Sequence, residues 1–140
     1  SRWTGQDLSE RDPRAGREAF QAFGELIKRF PDSQYADDAR KKMIVLVDAL
    51  AANEMHVARY YMKRKAYLAA ANRAQAAIRE FSNTPYVEEA LALMATAYTE
   101  LDLKPLADDS RRVLAQNYPN SRYLKTPWVY QDMPWYQFWR

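Results

Sequence analysis

An all-α fold built from repeated helical pairs is predicted by three features of this 140-residue sequence. Between Asp32 and Thr84 there is neither glycine nor proline, the two strongest breakers of regular structure, and the whole chain holds only 3 Gly and 7 Pro. Apolar residues recur in steps of three and four across that stretch. Three segments of one pattern interrupt the periodic runs: Phe30-Pro31-Asp32-Ser33-Gln34-Tyr35, Phe81-Ser82-Asn83-Thr84-Pro85-Tyr86 and Tyr118-Pro119-Asn120-Ser121-Arg122-Tyr123. Each supplies an aromatic to end one helix, a Pro or Ser/Asn stop, and a polar cap ahead of the Tyr that opens the next element.

The corners stand 51 and then 37 residues apart, from 30 to 81 and from 81 to 118, which is the tetratricopeptide period of about 34 with insertions of about 17 and about 3. A first helix runs from about Arg14 to Arg29, with Pro13 in its first turn and Ala19, Phe20, Phe23, Leu26 and Ile27 on one stripe. It is the second helix of a truncated repeat, residues 13–34. From Tyr35 the stripe Tyr35, Ala39, Met43, Leu46, Leu50, Glu54, Val57, Tyr61 continues without a break to Lys63. It predicts one helix of roughly 43 Å, rising about 1.5 Å per residue and projecting beyond its neighbours. Helices over Tyr67–Phe81, Tyr86–Leu103 and Pro105–Asn117 complete a repeat at 35–84 and another at 85–123, and no strand is expected. Residues 1–12 read as an N-terminal remnant or linker, and residues 124–140 as an aromatic-rich tail.

Helical hairpins of this period need small residues where their axes cross and aromatics between them. Counting back from Ser82, the small sites fall on Ala58, Ala70 and Ala77 and the aromatic sites on Tyr61 and Tyr67. Counting back from Pro119 gives Ala95, Tyr98 and Ala107, with Leu114 in place of the last alanine and Arg111 where an aromatic belongs. Alanine at a crossing lets the axes approach to about 8–9 Å.

Composition excludes several classes of function. The chain has no cysteine, hence no disulfide and no thiolate metal site. Its 21 Lys+Arg against 18 Asp+Glu leave a net charge of +3, too little and too dispersed for a nucleic-acid footprint. No run approaches the roughly 18–20 apolar residues that cross a bilayer. The start at Ser1-Arg2-Trp3 fits a piece of a longer protein whose targeting segment lies upstream. The lone histidine, His56, sits in mid-helix, and the pairs Asp37-Asp38, Glu88-Glu89 and Asp108-Asp109 suit helix starts, where carboxylates offset the macrodipole. Neither an enzyme, a metal site nor a cofactor is expected.

What remains is surface. The first helices of the two complete pairs place Met55, Arg59, Met62 and Lys63, then Ala92, Thr96 and Thr99, along a concave and mildly basic groove, with Arg64 at its edge. Met55 and Met62 either repack around a ligand or complete the core, and Arg59 and Lys63, one turn apart, can meet a carboxylate. On the 67–81 helix, Ala70, Ala71, Ala74, Ala77 and Ile78 face inward, which turns Asn72, Arg73 and Arg79 outward, Arg73 as an ion-pair anchor. In the tail, Trp128, Tyr130, Trp135, Tyr136, Phe138 and Trp139 crowd the last 13 residues. They either fold back as a cap over the open apolar end of the last repeat, or Trp128, Trp135 and Trp139 dock a partner or a lipid headgroup layer.

The string Ala58-Arg59-Tyr60-Tyr61-Met62-Lys63-Arg64-Lys65-Ala66-Tyr67-Leu68-Ala69-Ala70-Ala71-Asn72-Arg73, with the long helix after Phe30-Pro31-Asp32-Ser33-Gln34-Tyr35, resembles the carboxy-terminal half of the BamD/ComL family over about residues 10–120. These are tetratricopeptide lipoproteins of the outer-membrane β-barrel assembly machinery. The resemblance implies a scaffold at the periplasmic face of the outer membrane, tethered by a lipidated N-terminal cysteine that this sequence does not contain. It implies as partner the last periplasmic POTRA domain of BamA, alongside other lipoproteins of the machinery. It also carries the family's Asn-Arg pair onto Asn72 and Arg73, with Arg73 bridging to an acidic POTRA side chain. The competing expectation is an unrelated tetratricopeptide adaptor holding a short peptide in its concave groove, for which the clamp at Ala92, Thr96 and Thr99 is incomplete.

Overall fold

The computed structural model describes residues 13–132. Five α-helices follow one another, α1 (Pro13–Arg29), α2 (Gln34–Lys63), α3 (Tyr67–Glu80), α4 (Val87–Glu100) and α5 (Lys104–Asn117), then a 3-10 turn at Arg122–Leu124; no strand occurs among the described residues. Each helix packs on its neighbours in the chain, so the fold is a row of helical hairpins.

The long helix forms as its uninterrupted stripe requires. Ser33 caps it, the Oγ accepting the Ala36 N–H at 3.1 Å. It does not project. Its first half carries α1, and Gly16 faces the Leu50 side chain, where an added Cβ would stand 3.0 Å from Leu50 Cδ2. Its second half packs on α3, so α2 bridges two hairpins. The stripe is buried through Ala39, Leu46 and Leu50, while Tyr35 at its start stands in solvent with Phe30, Ile44 and Val45.

The alanines expected at the crossings are all in the core: Ala58, Ala70, Ala77, Ala95 and Ala107 are no more than 6% exposed. α3 turns Ala70, Ala71, Ala74 and Ala77 inward. α4 is apolar nearly all round, with Val87, Ala90–Met94, Ala95, Ala97 and Tyr98 buried, the mark of a helix enclosed on several sides. Leu93 and Leu114 fill the space between α4 and its neighbours.

Two corners repeat one backbone motif. At the end of α2, Lys65 N–H donates to the Met62 carbonyl and Ala66 N–H to Tyr61; at the end of α4, Asp102 N–H donates to Thr99 and Leu103 N–H to Tyr98. These are paired Schellman closures, and they place Lys65 at φ 60° and Asp102 at φ 56°. They also end α4 at Glu100, short of the expected Leu103. Left-handed backbone disfavours lysine more than aspartate and suits glycine best. Lys65→Gly is expected to raise stability by about 0.5–1 kcal/mol, read as a higher urea midpoint with an unchanged slope; Asp102→Gly should gain less. The other corners diverge. Thr84 does not cap a helix but donates its hydroxyl to the Phe81 carbonyl at 2.9 Å. Ser121 accepts the Tyr123 N–H at 3.2 Å and opens only the 3-10 turn.

Candidate protein-binding faces

The outer face is built by α3. Because its alanines take the inner side, Asn72, Arg73 and Arg79 are left exposed, as is Arg64 at the corner before it. Arg73 Nη1 lies 3.3 Å from Glu54 Oε2, and Arg17 of α1 approaches the same carboxylate at 3.6 Å and Glu80 at 2.8 Å. Arg17 also sits over the Phe81 ring, 5.5 Å from its centroid. Together Arg17, Glu54, Tyr61, Asn72, Arg73 and Glu80 line an open recess of about 480 Å³. The Glu54 side chain is only 7% exposed, and its carboxyl oxygens face two guanidinium groups. Glu54 stood on the apolar stripe of the sequence, and a carboxylate at a core register is the signal that could have located it. Nothing in the sequence pointed to Arg17.

The concave groove differs from its sequence reading. Met55 and Met62 are buried in the core cluster and close it, so neither faces a ligand. Ala92 is buried as well. Arg59 meets a carboxylate, but the chain's own: its Nη2 and Nε bond both oxygens of Glu89 at 2.6 and 2.8 Å. This bidentate pair ties α2 to α4. Lys63 Nζ lies 3.7 Å from Asp132. Glu89 is therefore a cross-helix partner more than a dipole cap. Asp108 and Asp109 fall in the second turn of α5 and pair with Arg111 and Arg112 at 3.3 Å.

Into this groove returns the tail. Trp128 is 6% exposed and belongs to the main core cluster. Its indole Nε1–H donates to Glu89 Oε2 at 3.1 Å, and its carbonyl accepts the Thr96 hydroxyl at 2.6 Å. Trp128 is thus not an exposed docking residue; it folds back against α4, the first helix of the last pair, on its Glu89 and Thr96 side. Trp135 and Trp139 lie outside the described residues. Burial alone would push the Glu89 carboxyl up, but the Arg59 hydrogen bonds and charge, with the Trp128 indole, hold it below its ordinary value of 4.5. Burial likewise disfavours the Arg59 charge, and Glu89 more than restores it.

Among the described residues no group of His, Cys, Asp and Glu could hold a metal ion, and no helix is long and apolar enough to cross a membrane. His56 is exposed.

Hairpins crossing at alanines, with a filled groove and a polar outer face, define a tetratricopeptide-type helical solenoid. The profile of the YfiO family, described as outer membrane lipoprotein, matches residues 1–113. The outer membrane protein assembly factor BamD of Neisseria meningitidis serogroup B is 60% identical over 134 residues, 96% of this chain and 50% of the relative. BamD of Xylella fastidiosa (strain Temecula1) is 41% identical over 119 residues, 85% of this chain and 41% of the relative. BamD of Haemophilus influenzae is 36% identical over 134 residues, 89% of this chain and 51% of the relative. The chain belongs to the YfiO family of outer membrane lipoproteins, and it spans about half the length of the curated relatives it matches. Those relatives carry the name of assembly factors.

Proposed function

We propose that this chain is a docking scaffold for outer-membrane protein assembly, and that the Asn72-Arg73 face of α3 holds an acidic surface of the last periplasmic POTRA domain of BamA. The reading draws on relatives named as assembly factors. The observation that carries it is the outward pair Asn72 and Arg73 on a helix whose fully buried residues are all alanine. A guanidinium has five donors in a planar fork. Glu54 engages Arg73 at one nitrogen, which leaves the outward edge for a carboxylate of the partner, with Asn72 beside it to donate or accept. Arg64 and Arg79 add positive charge around that contact and steer an acidic surface towards it. In the longer protein a lipid anchor at the N-terminus would hold this scaffold at the periplasmic face of the outer membrane, where other lipoproteins of the machinery could share it. The role is that of a binding partner, with no reaction of its own.

Titration of the BamA periplasmic region onto the protein tests this. Arg73→Glu sets a carboxylate against both Glu54 and the acidic partner, so binding is expected to weaken at least tenfold, about 1.4 kcal/mol, with the far-UV spectrum unchanged. Wild-type affinity in a folded Arg73→Glu variant would remove the proposed contact.

A further inference from the structure

The residues from Lys125 to Asp132 lie across the concave groove without helix or strand. Backbone bonds from Lys125 and Thr126 to the Arg122 carbonyl end the 3-10 turn. Pro127 then leads into a segment whose side chains alternate: Trp128 buried, Val129 exposed, Tyr130 packed against the core cluster, Gln131 exposed. That is the period of an extended peptide. Four ties hold it: the Trp128 indole to Glu89, its carbonyl to Thr96, Tyr130 against the core, and Asp132 to Lys63. Tyr130 also donates its hydroxyl to Asp132 at 2.8 Å, which orients the carboxylate.

Every one of these ties is a ligand contact in kind. Thr96 and Glu89 stand seven residues apart on one face of α4 with Ala92 between them, where the small side chain leaves a slot for an indole. Arg59 fixes Glu89 from the opposite helix, so the acceptor for the indole N–H is set before the tryptophan arrives. A buried aromatic anchor on an extended segment whose alternate side chains face the groove is the arrangement of a peptide in a binding site.

We propose that the groove between α2 and α4 is a peptide site that reads Trp-x-aromatic-x-acid in extended form, and that residues 128–132 are its resident ligand, exchangeable for a segment of the same chemistry. The tether gives this ligand an effective concentration in the millimolar range, so an external peptide meets a closed groove until the anchor is removed. The site is separate from the Asn72-Arg73 face and does not depend on the BamA reading.

The test offers the peptide Trp-Val-Tyr-Gln-Asp to the full chain and to its Trp128→Ala variant. Binding to Trp128→Ala is expected to be at least tenfold tighter than to wild type, and a peptide with alanine for tryptophan should bind neither. Arg73→Glu should leave this binding unchanged. Equal binding to both proteins, or none to a cooperatively folded Trp128→Ala chain, would overturn the proposal. If Trp128→Ala does not fold, Trp128→Phe keeps the slot filled and loses only the indole donor. Its tail should then yield to the peptide several-fold more readily than wild type, and a Trp128→Phe chain as closed as wild type would sink the idea.

Discussion

Leu93→Ala is expected to lower folding stability by about 3 kcal/mol, within the 2–5 kcal/mol usual for a buried leucine cut to alanine. Leu93 is fully buried in α4, which packs on α3 and α5 and is bonded by the returning tail. The core cluster it belongs to is rich in alanine. Alanine has no rotamer with which to fill a void, so collapse would need whole helices to move. The lost contacts and the cavity therefore both count against the variant. Urea unfolding followed by far-UV spectroscopy should show the midpoint falling at constant slope, and the melting temperature should drop by roughly 10 °C. Leu106→Ala is the control: Leu106 is 45% exposed, and its loss should stay within about 1 kcal/mol. A Leu93→Ala chain as stable as the control would mean that α4 is not enclosed.

Glu89→Gln is expected to cost about 2 kcal/mol at neutral pH, in the range for hydrogen bonds to a charged group. The change removes the anion that receives both Arg59 nitrogens and the Trp128 indole. The sign of its pH dependence is fixed by the direction of the shift. Glu89 is held below its ordinary value, so the stability it contributes is complete above that value of 4.5 and is lost as pH falls towards the depressed one. The gap between wild type and Glu89→Gln should stay constant from neutral pH to about 6 and then close through the acid range. Arg59 remains charged throughout. Arg122, the other cation that acts on Glu89, keeps its charge through that window. Indole fluorescence should report the loosening of Trp128 in step with it. A gap that stays constant as the pH falls through and below 4.5 would show that the Glu89 carboxylate is not what stabilises this contact.

Much of the fold was legible because helices are local. The stripe from Ala39 to Leu50, the Ser33 cap and the alanine spacing in Ala70–Ala77 each depend on residues a few positions apart. The outward placement of Asn72, Arg73 and Arg79 followed from the same periodicity. What was not legible depends on who meets whom. Met55 and Met62 looked equally fit for a groove or a core, since helical spacing puts both on the seam between faces; packing against the next hairpin buried them. The long helix read as a projection because no pattern in its own residues announces that α1 folds back along it, with Gly16 against Leu50.

The sequence by itself determined the five helices, the alanine crossings that let them stack, and the polar outer side of α3, because each is written in side-chain periodicity and cap chemistry along a single segment. Only the tertiary structure decided that Arg59 spends its charge on Glu89, that Glu54 sits between Arg17 and Arg73, and that Trp128 lies in the groove. Those pairings join residues 19 to 39 positions apart, or more for Arg17 and Glu80. Their geometry exists only once the hairpins have packed and excluded water from the spaces between them.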